Sequence, residues 1–442
     1  MTKKWAVYIL SIIAIVFAFL LYAKCSKQHF KLSRFIAPKT CGGCHEEIYS
    51  QWKNSMHNLA HGDIVYQKVT KFLLKGLTNK DEIKEAESCV KCHIPVGVIS
   101  GFPMKVSEDK GKIPEIARKG IQCDYCHSAT GAKRMSNNDL RLSPGDGEED
   151  PGTKRGPFRD SKSSFHESVY SEFHTSSKIC GTCHNVNHVV FNTKLETTYE
   201  EWQNGPYNSK DPKKRVVCQG CHMYQRPGIA ATGSTARPKN PGKASIGGPD
   251  RKHIFTHYFV GGNSFIPLLS NDKVKSKMSI NRLRNAAELL VTGKDGKVLI
   301  TVKNIGAGHK LPTGLTNVRQ MWLDIIIKDK RGKVLFSSGQ LDKNGYIPGN
   351  AIIYNTVFGD GNGKVVSNIA KAKEILKDRR ILPQKSLTET VKLPKGKYST
   401  VNVTVKLRYR IAPQKLVDIV TGKGKVKLPI VDMEEISRKI SL

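Results

Sequence analysis

Apolar side chains are in short supply in this chain. They make up 38% of its 442 residues, little for a length that suggests about three structural units, and apolar periodicity is sparse before residue 285. Acidic charge is short as well: 38 Asp and Glu stand against 72 Lys and Arg, a formal net charge of +34. Such a field steers acidic partners or anionic surfaces toward the protein at rates that fall with salt. The lysines are dispersed over loops and strands with no recognition motif, so nucleic acid is not expected as a partner. Cysteines available for disulfides are missing too. Of eleven cysteines, all but Cys25 sit in one repeated motif, which excludes a disulfide framework.

In their place the chain has five copies of one pentapeptide: Cys41-Gly-Gly-Cys44-His45, Cys89-Val-Lys-Cys92-His93, Cys123-Asp-Tyr-Cys126-His127, Cys180-Gly-Thr-Cys183-His184 and Cys218-Gln-Gly-Cys221-His222. C-x-x-C-H is the attachment signature of a c-type haem. The two thiols each add to one vinyl group of the same porphyrin, and the adjoining imidazole reaches the iron as proximal ligand. Zinc knuckles and redox dithiols also use C-x-x-C pairs. Zinc sites, however, place His at other offsets and dithiols do not need it, so five adjoining histidines select haem. Five covalently bound haem c groups are therefore expected, and the macrocycles would supply the core that side chains do not. This attachment takes place outside the cytoplasm, so the haem segment must be exported.

The expected fold class is α+β multidomain. Residues 1–24 form an N-terminal membrane anchor, because Trp5 to Ala23 is an uncharged apolar run long enough for a transmembrane helix. The lysines after it, counted naively, favour the opposite orientation, but long domains translocate largely regardless of charge. Cys25 is a candidate for lipidation, against which Lys24 argues. Residues 34–266 form a loop-rich, mainly helical pentahaem domain, with helices over Glu46 to Ala60 and over Lys68 to Ser88, the latter broken at Gly76. After a linker at 267–286, the period changes to two. Strands are predicted at 289–292, 297–304, 318–328, 333–337, 386–391 and 400–410, an antiparallel β-sandwich over 287–412. Residues 413–442 read as a helical tail, with helices at 413–420 and 432–440. Gly359-Asp-Gly-Asn-Gly lacks the remaining acidic ligands of a calcium loop and reads as a turn.

Nine histidines lie outside the motifs. A low-spin relay of five haems needs five distal ligands, so the count permits a relay without excluding an open sixth position. Here the chain resembles a known family. Cys41-Gly-Gly-Cys44-His45 followed by Tyr49-Ser-Gln-Trp52-Lys-Asn-Ser55-Met-His57 is similar to the first haem segment of the cytochrome c-554-like multihaem cytochromes. The resemblance implies that His57 is an axial ligand to another haem. His174, just before Cys180, resembles a family histidine preceding a haem motif. Thr198-Tyr-Glu-Glu-Trp202 leading to Cys218 resembles the last haem segment, and His257-Tyr-Phe-Val-Gly-Gly-Asn263 resembles an element that supplies another ligand. Asn304-Ile-Gly-Ala-Gly-His309 resembles the start of the β-sandwich that follows the haems in relatives, and a histidine on so glycine-rich a loop could reach a haem across the domain boundary. The expected distal ligands are thus His57, His174, His257 and His309. His253 and His166 are candidates for the fifth, with His61 and His188 weaker ones.

The function expected is a membrane-anchored pentahaem electron carrier facing the periplasm or cell exterior. It would relay electrons from a membrane donor, such as a quinol oxidoreductase or another cytochrome, to a periplasmic or external acceptor. No catalytic residue is assigned. One alternative is a reductase of nitrite, hydroxylamine or a sulfur oxyanion at a five-coordinate haem, although pentahaem nitrite reductases mark their catalytic haem with C-x-x-C-K and all five motifs here end in His. Another is a polymerising cytochrome wire, which a retained anchor disfavours.

Overall fold

The computed structural model describes residues 28–442 apart from Met104, Asp109 and Lys397. The expected anchor, Trp5 to Ala23, lies outside the described residues, among which no helix is long and apolar enough to cross a membrane.

Up to residue 266 the backbone runs in short helices, two- to four-residue strands and loops. Capping and turn residues cut it up. Asp63 accepts from the amides of Val65 and Tyr66 and starts the helix Ile64–Leu74, and Asn79 caps Lys80–Ser88 in the same way. Between them Gly76 has φ of +75°, the left-handed turn that glycine alone takes at little cost. The helix expected from Glu46 to Ala60 stops at Trp52. Lys53 has ψ of 131° and Asn54 a positive φ of 61°, so the chain turns before His57. Four of the motifs occupy helical turns at Val90–His93, Cys123–His127, Lys178–Gly181 and Cys218–His222, and the first begins in Pro38–Gly42.

The C-terminal half is built from strands β1 (Ala287–Lys294), β2 (Lys297–Asn304), β3 (Gln320–Lys328), β4 (Val334–Ser338), β5 (Thr356–Gly359), β6 (Val365–Val366), β7 (Glu374–Asp378), β8 (Ser386–Lys392), β9 (Thr400–Arg410) and β10 (Val431–Ser441). They form antiparallel sheets of order β8-β2-β1, β4-β3-β9-β10 and β6-β5-β7. Alternate residues point inward. Val298, Ile300 and Val302 from β2, Leu323, Ile325 and Ile327 from β3, and Val401, Val403, Val405 and Leu407 from β9 share one core, the pattern of two packed sheets.

Two further sequence expectations need correction. Residues 432–440 are not a helix: they belong to β10, paired along β9 from Tyr409↔Val431 to Thr400↔Ser441. The Glu, Arg and Lys of this segment favour helix, but Val431, Met433 and Ile440 bury into the sandwich core, and that burial wins. The tail is therefore helical only at Gln414–Thr421. Residues 267–286 are likewise more than a linker. A helix at Lys273–Arg284 is capped by Asp272 and buries Met278 and Leu283. The Gly359–Gly363 segment is a turn, as expected: Glu374 Oε1 accepts from the amides of Gly361 and Gly363. A second core joins the two halves, with Phe358, Ile369 and Ala370 packed on Leu73, Ala86 and Leu195.

Candidate functional site

All five C-x-x-C-H motifs line one continuous cavity of about 2080 Å³. Among the described residues no three His, Cys, Asp or Glu side chains converge as a zinc site would require. Four of the five motif histidines are instead held one by one through Nδ1. His45 Nδ1 donates to Ala244 O at 2.7 Å, His93 to Ala60 O at 2.8 Å and His127 to Arg155 O at 2.6 Å. His184 differs, with Nδ1 3.2 Å from the carboxylate Oε1 of Glu196. A partner on Nδ1 fixes ring and tautomer and leaves Nε2 for a metal.

Four motif histidines face a second histidine across the cavity. The ring centres of His45 and His166 are 6.4 Å apart, His184 and His57 6.4 Å, His127 and His257 6.4 Å, and His222 and His309 6.5 Å. Imidazole–metal bonds of about 2.0 Å, with about 1.1 Å from nitrogen to ring centre, put two trans imidazoles about 6.2 Å apart. The four spacings therefore fit an iron between each pair. The facing rings are prepared for it: His166, His257 and His309 each commit Nδ1 to a carbonyl, of Glu167, Phe255 and Lys310 respectively. Burial first, then the neighbouring His184 and His257, pushes the basicity of His57 down to about 3. Burial and His127 do the same to His257, also to about 3. Both rings are thus neutral at any ordinary pH, the form that ligates.

The fifth motif histidine is placed differently. His93 stacks on Tyr66 with ring centres 3.8 Å apart and planes 5° from parallel, and among the described residues no second imidazole faces it at the spacing of the other four.

Of the expected distal ligands, the structure brings His57, His257 and His309 opposite motif histidines, and of the two further candidates it brings His166. His174 also faces a motif histidine, His127, but is bonded at both ring nitrogens. Its centre is 5.8 Å from that of His127; Nε2 donates to Cys126 O at 2.8 Å and Nδ1 accepts from Ser171 Oγ at 2.9 Å. Neither nitrogen offers a lone pair, and His127 is left to His257. His253 lies off the cavity, stacked on Tyr224 at 3.8 Å, with Nδ1 accepting from Asn240 N. His188 is buried with Nε2 on Ala370 O and Nδ1 facing the amides of Val190 and Phe191, and His61 does not line the cavity.

Contacts between motifs set their spatial order. Cys41 lies beside Cys123, Cys180 beside Cys218 and Cys92 beside Cys183. Tyr125 of the third motif is tied through Asn138 to Thr182 O of the fourth. The motifs thus run first–third–fourth–fifth, with the second branching from the fourth.

The two ends of that row repeat one arrangement. A Cβ on Gly42 would come within 2.7 Å of the Tyr49 ring, and one on Gly181 within 2.5 Å of Tyr199, so both sites need glycine. Each tyrosine leads to a tryptophan three residues on. Trp52 donates to Ile121 O and Trp202 to Val216 O, both at 2.8 Å, two residues before the next cysteine in each case. The Tyr-x-x-Trp signal is present in the sequence. Glu196 and Arg282 carry no such signal and emerge only from the structure. Burial alone would lower the basicity of His184, but Glu196 outweighs it and raises it to about 9. Arg282 is fixed by Gln225 Oε1 at 2.8 Å and Ala230 O at 3.2 Å, and places Nη2 3.4 Å from His222 Nε2. Burial, then Arg282, depresses His222.

A family model described as cytochrome c554 and c-prime matches residues 40–128. Among solved structures the chain is similar to a penta-heme cytochrome c552 from Thermochromatium tepidum, with a TM-score of 0.58 and 18% identity over 92% of this chain and 100% of that one. At that identity the likeness is one of fold. No curated protein matches the chain.

Proposed function

Since the chain has the haem domain of a multihaem c-type cytochrome, we propose that it is an extracytoplasmic relay of five haems, tethered by its N-terminal apolar segment, that passes electrons from a membrane donor to an external or periplasmic acceptor. The observation that carries this reading is the set of four imidazole pairs spaced for iron around one cavity shared by all five motifs. Bound haem supplies one-electron ferric–ferrous exchange. The residues do the rest. Ten motif cysteines would fix the porphyrins by thioether bonds. His57, His166, His257 and His309 would each keep one iron six-coordinate in both redox states and keep reorganisation small. The carbonyls of Ala244, Ala60 and Arg155 and the Glu196 carboxylate orient the proximal rings.

The test is stopped-flow oxidation of the fully reduced protein by excess acceptor cytochrome. A relay loses all of its haem absorbance without a residual reduced fraction; a fraction that stays reduced would count against it. One observation favours a second reading. Among the described residues no imidazole faces His93 at ligand spacing, an arrangement that suits a five-coordinate haem reducing nitrite or hydroxylamine. Turnover of either by the reduced protein, abolished by blocking a high-spin haem, would support that reading.

A further inference from the structure

The fourth and fifth motifs touch through Cys180 and Cys218, yet their proximal histidines sit in opposite electrostatic settings. His184 gives its Nδ1 proton to a carboxylate, whereas the three other motif histidines with a partner on Nδ1 give theirs to backbone carbonyls. Glu196 is placed there by a short hairpin: Val186 pairs with Glu196 just after the fourth motif. Thr198 Oγ1 donates to the same Oε1 at 3.2 Å. His184 is half exposed, but it faces the haem cavity. Beside His222 stands the opposite charge. Arg282 is pinned by Gln225 and Ala230, with Nη2 3.4 Å from His222 Nε2, at the edge of the ring that would meet the iron. Arg319 is the cation that opposes Glu196, but its guanidinium is committed to Ile411 O at 2.7 Å.

We infer that Glu196 and Arg282 polarise this contacting pair, lowering the potential of the haem at His184 and raising that of the haem at His222, so that electrons cross the junction toward His222. An imidazole hydrogen-bonded to a carboxylate is a stronger donor and favours ferric iron. A fixed cation beside a proximal ligand favours ferrous iron, which carries one positive charge fewer, and acts strongly where water is excluded. The fourth motif also meets the second and third, so the haem at the branch is one where an electron does not rest. Both residues are positioning residues, acting through the histidines rather than on any substrate.

The inference rests on the relay reading, and potentiometry with EPR detection separates the two. Loss of one signal in His57→Ala and of another in His309→Ala assigns the fourth and fifth haems. In the unaltered protein the fourth should reduce at lower potential than the fifth. Glu196→Gln should raise the fourth midpoint alone, Arg282→Gln should lower the fifth alone, and Arg282→Lys should restore most of the second shift. If Glu196→Gln does not mature, Thr198→Val should give a smaller rise at the same haem. A reversed order in the unaltered protein, or midpoints unmoved in these variants, would overturn the inference while leaving the relay intact. Fewer than five haems would overturn the relay instead.

Discussion

The two halves of the molecule solve the same problem with different materials. In the sandwich, inward-facing residues of β2, β3 and β9 are almost entirely hidden from water, with Val298, Ile300, Leu323, Ile325 and Val405 at 0% exposure. The haem region has only small apolar clusters, such as Phe35, Val96, Tyr125, Ala129 and Leu142, set around a cavity of about 2080 Å³. One half is held by its side chains. The other is a shell shaped for a core that is not amino acid, so the scarcity of apolar residues marks the haems as structural material.

The sharpest way to break this contrast is to withhold haem. Chain produced without cytochrome c maturation should lose hydrogen-exchange protection across 34–266 while β2, β3 and β9 stay protected; protection that survived equally in both halves would refute it. The converse lesion is a cavity in the sandwich. Ile325→Ala should cost roughly 2–5 kcal/mol of stability in denaturant titration, with the haem spectrum unchanged.

His309 is where the contrast gives way, because it belongs to the sandwich yet faces His222. Substituting it by Ala should turn one low-spin haem high-spin in EPR; an unchanged spectrum would confine the site to the haem region. The loop that carries it is latched. Glu201, from the haem region, accepts from Lys310 N at 3.1 Å and Thr313 Oγ1 at 2.8 Å and pairs with Arg380. Arg380 in turn pairs with Asp378, as does Lys310.

The smallest expected effect is in acid. Burial raises the Asp378 carboxyl, but its bonds to Arg380 and Lys310 outweigh that and hold it at about 2, below its ordinary 3.8. A depressed carboxyl contributes stability that is fully present above pH 3.8 and lost as pH falls toward 2. Exchange at residues 309–314 should quicken in that window before the sandwich core opens, and Asp378→Asn should abolish the step.

Much of the fold and of the haem site is legible in the residues themselves, for physical reasons. The motifs dictate the haems outright, because both bonds to porphyrin and the bond to iron come from five consecutive residues. Alternation in β2, β3 and β9 announces strands buried on one face. Distal ligands are harder, since a histidine reaches a haem through loops whose path no local rule sets. His174 sits at a plausible offset but has both nitrogens taken by Ser171 and Cys126. His166 and His253 are indistinguishable in sequence, and only the former reaches His45. β10 is hidden by its helix-favouring charges, and the Glu196–His184 contact by a hairpin without a spacing signature.

Iron held between facing imidazoles at four of five covalent haems is the central claim. Low-temperature EPR on protein whose pyridine haemochrome band shows five haems per chain tests it directly. Four low-spin irons with bis-histidine signals and one iron outside that class are predicted. Five bis-histidine irons, or fewer than four, would contradict it.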